Sequence, residues 1–231
     1  MSEVTEKYQQ ASGFSYPKEL DHYQHEGVIG KFRDEWDVDE KEALDIFSEM
    51  KKFLYISHYA QQKCVEFEID EPTLLIDKMW HHFIMFTMDY DKFCHKYFGM
   101  TLHHIPFCAA HLAQKVKQLA QSGITLKDHK QERLEQQLQL IESTFGTETI
   151  KKWYVDYANR YTPEKVNLLQ RAAYHGDLDK MSAPMDKETA DKLTSRELIQ
   201  GIIRQISPSM YCGQTGCGMY CTCNSSGHMY M

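Results

Sequence analysis

Apolar residues recur every three or four positions along most of the chain, the spacing that places them on one face of an α-helix. The alternating pattern of a half-buried strand is almost absent. The clearest helix is predicted over about residues 39–61, where an apolar stripe runs from Ala43 through Leu54 and where Asp37 or Asp39 is expected to cap the first turn. The fold class is therefore predicted to be all-α, an irregular helical bundle.

Turn-forming residues divide the rest of the chain into shorter helices. Pro72 predicts the first turn of a helix, and Gly99 and Gly146 predict helix ends, because glycine readily adopts the left-handed conformation that stops a helix. Thr147 is expected to cap the next helix. Leu134, Leu138, Ile141 and Phe145 are predicted to form the buried seam of the helix before Gly146. Two tryptophans are expected in or near the core: Trp80 and Trp153.

The pattern also predicts three parts along the chain. A helical body is expected over residues 1–182, followed over residues 183–207 by one amphipathic helix, centred on about residues 188–206. Residues 208–231 contain no Asp, Glu, Lys or Arg, and Gly, Cys, Met and Tyr recur there. Such a composition cannot bury a core, so this part is predicted to be a flexible Cys/Gly-rich tail.

Composition and charge narrow the function. The net charge of -7 and the lack of a dense run of Lys or Arg argue against nucleic acid or an anionic membrane as a partner. No stretch reaches the roughly 20 apolar residues of a membrane-spanning helix, and the first residues do not resemble a secretory signal. Seven cysteines, of which Cys64, Cys94 and Cys108 are expected to be small buried thiols, argue against a disulfide framework. A cytoplasmic location is therefore expected.

A histidine-rich region is the first candidate metal site. In a helix, Asp77 and His81 lie one turn apart on the same face, and a loop carrying His104 could fold back to complete the site. Imidazole and carboxylate ligands suit zinc, iron or copper. The alternative is an Asp–His pair whose hydrogen bond orients a semi-buried imidazole. Further potential donors in the region are Asp89, Cys94, His95, His103 and His111.

The tail is the second candidate metal site. Cys212, Cys217, Cys221, Cys223 and His228 are joined by glycines, and together they could wrap one soft cation. The spacing lacks the paired Cys-x-x-Cys knuckles of a structural zinc ribbon. Two alternatives stay open: incidental thiols on a flexible terminus, or a tail that is the substrate of an enzyme acting on Cys, Ser or Thr.

A segment of the predicted body resembles a known family. The stretch Pro72 to His81, with its Asp-x-x-Trp-His motif, resembles the glycine-rich domain-containing protein-like family over about residues 40–160. The resemblance extends to Tyr90, Cys94, Gly99 and His104, and the tail resembles that of short bacterial members. This chain has Phe83 where some relatives carry a second histidine. The resemblance implies no established activity.

Three functional hypotheses follow. The leading one is a protein that handles a transition metal or thiols through the tail and the histidine cluster, without an assigned catalytic residue. The second is a precursor or interaction module whose tail is modified by an enzyme or bound by a protein partner. The third is a metal-dependent enzyme that uses Asp77, His81 and His104. The sequence favours a role other than catalysis, because no nucleotide-binding loop or serine-hydrolase elbow is present.

Overall fold

A computed structural model describes residues 16–106, 108–171 and 185–205 of the 231-residue chain. Over this part of the chain the backbone is helical, with no strand beyond an isolated antiparallel bridge between Trp36 and Gln170. The predicted all-α fold class is confirmed. The predicted tail, residues 208–231, and the predicted boundary at residue 182 lie outside the described residues.

The helices are short apart from two. In chain order they are α1 Lys18–His22, α2 Glu26–Glu35, α3 Glu40–Gln62, the 3₁₀ turn Glu71–Thr73, α4 Leu74–Met85, α5 Thr87–Phe98, α6 Ala109–Gln121, α7 Leu126–Phe145, α8 Thr147–Lys151, the π-helical segment Lys152–Tyr157, α9 Ala158–Arg160, α10 Pro163–Leu169, α11 Lys187–Asp191 and α12 Ser195–Gln205.

The described residues form two compact units. The first comprises residues 16–33 and 38–169, and the second comprises 34–37, 170–171 and 185–205. In the second unit the Arg171 amide donates to the carbonyl of Glu35 at 2.8 Å, and the Arg171 guanidinium pairs with Asp37 at 2.9 Å. The candidate functional residues within the described part lie in the first unit.

Helix α3 runs through the core of the first unit. Its N-cap is Asp39, one of the two residues predicted for this position. The Asp39 side chain accepts a hydrogen bond from the Glu42 amide at 2.7 Å. Phe53 packs against both Trp80 and Trp153, with ring centroids 6.2 and 5.9 Å apart. Both tryptophans are buried, so their predicted place in the core is confirmed.

The sequence pattern missed α1 and α2, because α1 has only five residues and α2 contains two glycines, which are weak helix formers. A buried lysine ties α1 to α3. Lys51 Nζ donates to the carbonyls of Leu20, Asp21 and Tyr23, at 2.8 Å each. Burial lowers the pKa of Lys51. The ammonium thus adds a donor for carbonyls at the end of α1, where a helix supplies few N–H partners of its own.

The buried face of α7 differs from the predicted seam. Ile141 is buried as expected, whereas Leu134, Leu138 and Phe145 are only half-buried. The residues that precede these two leucines, Arg133 and Gln137, point inward instead, and both are buried. The prediction missed these two residues because it took apolar residues alone to mark the inner face.

A polar network explains that buried face. The Gln137 side-chain oxygen accepts hydrogen bonds from the Glu68 amide at 3.0 Å and from Arg133 at 2.9 Å. Its amide nitrogen lies 3.0 Å from Asp70 Oδ2 and 2.8 Å from the Tyr154 hydroxyl. Arg133 also pairs with Asp70 at 2.7 Å. Buried polar side chains are tolerated when each has partners of this kind.

Other local predictions need correction. Thr147 is not a cap but the first residue of α8, and the capping position is Gly146 at φ 81°. The single helix predicted over residues 188–206 is two helices, α11 and α12. The break occurs because the Glu197 carboxylate accepts hydrogen bonds from the Thr194 amide at 2.9 Å and from its hydroxyl at 2.6 Å, which starts a new helix.

The cysteines of the described part carry no disulfide. Cys94 is buried as predicted, but Cys64 and Cys108 are exposed. Cys64 follows the end of α3 with φ 55°, and Cys108 precedes α6, so both lie at helix ends rather than on inward faces.

None of the described helices combines the length and the apolar composition that crossing a membrane requires.

Candidate metal centre

Helix α4 carries two of the three candidate ligands. It follows the 3₁₀ turn in which Pro72 occupies the first turn, as predicted, and in which the Thr73 hydroxyl accepts from the Asp70 amide at 3.0 Å. Most of the apolar residues of α4 are buried, and Asp77 is buried with them. Because His81 follows Asp77 by four residues, both side chains project from the same face.

The loop after α5 carries the third candidate ligand, His104. Helix α5 ends at Phe98, and the residue after it, Gly99, has φ 75°, so the predicted glycine stop is confirmed. Trp80 Nε1 donates to the Tyr90 hydroxyl at 2.9 Å, and that hydroxyl donates to the carbonyl of Leu102 at 2.5 Å. This relay joins α4 and α5 to the backbone two residues before His104.

The three side chains meet around the Asp77 carboxylate. His104 Nε2 lies 2.9 Å from Asp77 Oδ1, and His81 Nδ1 lies 3.6 Å from Asp77 Oδ2. All three potential ligand atoms lie within 4.8 Å of one another. Ligand atoms bound to one tetrahedral ion at about 2.1 Å are separated by about 3.4 Å. The upper limit of 4.8 Å exceeds this value, so one ion would draw the three atoms together through small side-chain rotations.

Exposure increases from the carboxylate to the second histidine. The side chain of Asp77 is 7% exposed, that of His104 is 17% exposed and that of His81 is 44% exposed. The His104 ring packs against Trp80 and against His81, with centroids 4.5 Å apart in both cases. The triad thus has a buried acidic end and an end that solvent reaches.

The electrostatics favour a neutral His81. Partial burial is the main cause that lowers the pKa of His81, and the nearby His104, Lys78 and His82 lower it further, against the opposing effect of Asp77. A neutral imidazole is the form that binds a metal ion, so the lowered pKa of His81 favours the form that a ligand needs.

Two parts of the site were not predicted. Lys78 Nζ lies 3.7 Å from Asp77 Oδ2, although adjacent helical residues do not normally share a face. Its long side chain makes the contact possible. The Tyr90 hydroxyl positions the His104 loop, and its only sequence signal was its place in the resembling segment.

The other predicted donor residues do not join the triad in the part of the chain that the structure describes. Asp89 contacts His25 at 3.3 Å, His95 contacts Asp91 at 3.5 Å, and His103 is exposed. Burial raises the pKa of the Cys94 thiol, which disfavours the thiolate needed for binding a metal. The tail candidates lie outside the described residues: Cys212, Cys217, Cys221, Cys223 and His228.

Comparisons with known proteins add a family match. Residues 18–132, just under half of the chain, match a family model described as UCP032817-like, and this family is uncharacterised. Neither the curated proteins nor the solved structures gave a match. The resemblance to the glycine-rich domain-containing protein-like family stays a prediction. From α1 into α7 the chain is therefore similar to an uncharacterised family, and the matched segment contains Asp77, His81 and His104.

Proposed function

We propose that this protein binds one divalent transition-metal ion through Asp77, His81 and His104. The observation that carries the proposal is the convergence of three donor atoms from α4 and from a loop 27 residues further along the chain. Two imidazoles and one carboxylate form a donor set that suits zinc or ferrous iron, and copper also accepts imidazole.

The competing interpretation is a hydrogen-bonded Asp–His pair without an ion. Such a pair accounts for His104, which lies 2.9 Å from Asp77. It does not extend to His81 as a hydrogen-bonded partner, because 3.6 Å between Nδ1 and Oδ2 is too long for a good hydrogen bond, and His81 contacts the pair only through its ring against His104. An ion between these atoms would give both histidines the same function, and this difference supports metal binding.

The proposal concerns the triad alone. Thiol chemistry at the tail, a modifying enzyme or protein partner, and a cytoplasmic location stay predictions from the sequence. Catalysis by a metal-dependent enzyme also stays a prediction, since three protein ligands are compatible with both a binding and a catalytic site.

Elemental analysis after equilibrium dialysis against zinc tests the proposal. The full chain is used with serine in place of the four tail cysteines, so that thiolates do not contribute. We expect one zinc per chain in this background. Adding His104→Ala or His81→Ala should reduce retained zinc to a small fraction. His95→Ala, which removes an exposed histidine paired with Asp91, is the matched control and should retain one zinc.

Circular dichroism checks that each variant is folded. A loss of zinc counts as evidence only if the helical signal of the variant equals that of the parent. Metal binding at the triad is refuted if the four-serine chain retains no zinc, or if folded His81→Ala and His104→Ala variants retain as much as the control.

A further inference from the structure

The oxygen of Asp77 that faces His81 also faces a lysine. Lys78 Nζ lies 3.7 Å from Asp77 Oδ2, and His81 Nδ1 lies 3.6 Å from the same atom, whereas His104 contacts Oδ1. The Lys78 side chain is 35% exposed, and His81 is the most exposed of the three candidate ligands. An ammonium group therefore stands beside the part of the triad that solvent reaches.

The charges around a bound ion would not cancel. A divalent ion with one carboxylate and two neutral imidazoles keeps a charge of about +1, and the ammonium adds another. Three protein ligands also leave at least one coordination position for water or another small ligand. A partly desolvated site with excess positive charge and an exchangeable position favours an anion.

We propose that this centre binds a small oxyanion, with one oxygen on the ion and with Lys78 as a second, charged contact. This inference rests on the proposed metal site and names the class of ligand that the site takes. Lys78 is not a ligand of the ion, since its ammonium repels it. Its role is to supply charge beside the exchangeable position.

Cobalt-loaded protein provides the test. Co²⁺ in a nitrogen and oxygen site absorbs visible light, and its spectrum changes when a coordination position changes its ligand. Two proteins are compared: the full chain with serine at the four tail cysteines, and the same chain with Lys78→Met. Each is loaded with Co²⁺ and titrated with inorganic phosphate. Lys41→Met is the matched control, because Lys41 is an exposed lysine in the first turn of α3.

We expect phosphate to shift the cobalt spectrum in a saturable manner. Lys78→Met should weaken phosphate binding by roughly three- to tenfold, a modest change because the ammonium is partly exposed and screened. The same variant should bind Co²⁺ at least as tightly as the parent, since a repelling charge has gone. Lys41→Met should change neither affinity.

The outcomes separate this inference from the proposed function. If no cobalt spectrum develops before phosphate is added, the metal site itself is refuted and the anion site falls with it. A normal cobalt spectrum that phosphate leaves unchanged overturns the anion site alone. Equal phosphate affinities in the parent and in Lys78→Met overturn the role given to Lys78.

Discussion

At the residue scale, Asp77 connects every part of the candidate centre. One carboxylate oxygen contacts His104, and the other faces both His81 and Lys78. The sequence could predict Asp77 and His81 together, because a spacing of four residues places both on one helix face. It could only suggest His104, since the conformation of the loop depends on the contact between Tyr90 and the Leu102 carbonyl. The sequence did not predict Lys78, because its contact with Asp77 depends on the conformation of the lysine side chain.

Replacing Asp77 by asparagine tests the role of its charge. Asn has nearly the same shape and can still accept a hydrogen bond from His104, so the fold should persist. We expect zinc affinity to fall by about 100-fold, because a neutral amide oxygen is a much weaker ligand for a divalent ion than a carboxylate. Calorimetric titration of the metal-free four-serine chain measures the change. Unaltered affinity in the folded variant would show that the charge of Asp77 does not contribute to zinc binding.

At the element scale, helix ends were easier to predict than buried faces. Asp39 and Gly99 were identified from local signals that act within one turn, and the structure confirms both. The prediction for the inner face of α7 missed Arg133 and Gln137, because these residues are buried against partners more than 60 residues away in the sequence. Spacing within one helix contains no information about such partners.

Two glycines provide a matched pair for testing helix geometry. Gly99 has φ 75°, a conformation that costs a side-chain-bearing residue about 1 kcal/mol, so Gly99→Ala should destabilise the protein by about that amount. Gly30 lies exposed inside α2, and an added Cβ would meet no atom within 4 Å. Gly30→Ala should therefore stabilise the protein by about 0.5–1 kcal/mol.

Urea unfolding of both glycine variants measures the difference. The two substitutions add the same methyl group, so opposite signs can come only from the backbone conformation and its surroundings. If both alanine variants change stability in the same direction, the assigned backbone geometry at one of the two positions is wrong.

At the scale of the whole molecule, polar side chains connect distant parts of the chain to α3. Lys152 pairs with Asp45 and Glu49, and Trp153 Nε1 donates to Glu49 at 2.8 Å, across more than 100 residues. The sequence predicted the helical class and the buried tryptophans, because both follow from apolar content and spacing. It could not predict these pairs, because the chain has many lysines and many carboxylates, and tertiary packing determines which of them lie next to each other.

The pH dependence of stability follows from one of these groups. Burial acts to raise the pKa of Asp45, but the Lys152 ammonium and the Tyr157 hydroxyl, which donate hydrogen bonds to it, outweigh that effect and lower the pKa. A lowered pKa in the folded state adds stability above the unfolded value of about 3.9, and this stability is lost as the pH falls through the folded value.

The variant Asp45→Asn should therefore be less stable than the parent at neutral pH, by about 1 kcal/mol or less, because the carboxylate is 39% exposed and its charge is partly screened. The difference between the two proteins should shrink as the pH falls to roughly 3. Urea unfolding at both pH values measures it. A difference that stays constant would mean that the charge of Asp45 contributes nothing.

X-ray absorption at the zinc edge tests the central claim most directly. The sample is the full chain with serine at the four tail cysteines, dialysed against zinc. The account predicts a first shell of nitrogen and oxygen at about 2.0–2.1 Å, with the outer-shell scattering of two imidazoles. His104→Ala should remove the ion, or one of those imidazoles if zinc is retained. An ion bound without histidine scattering, or a spectrum that His104→Ala leaves unchanged, would contradict binding by Asp77, His81 and His104.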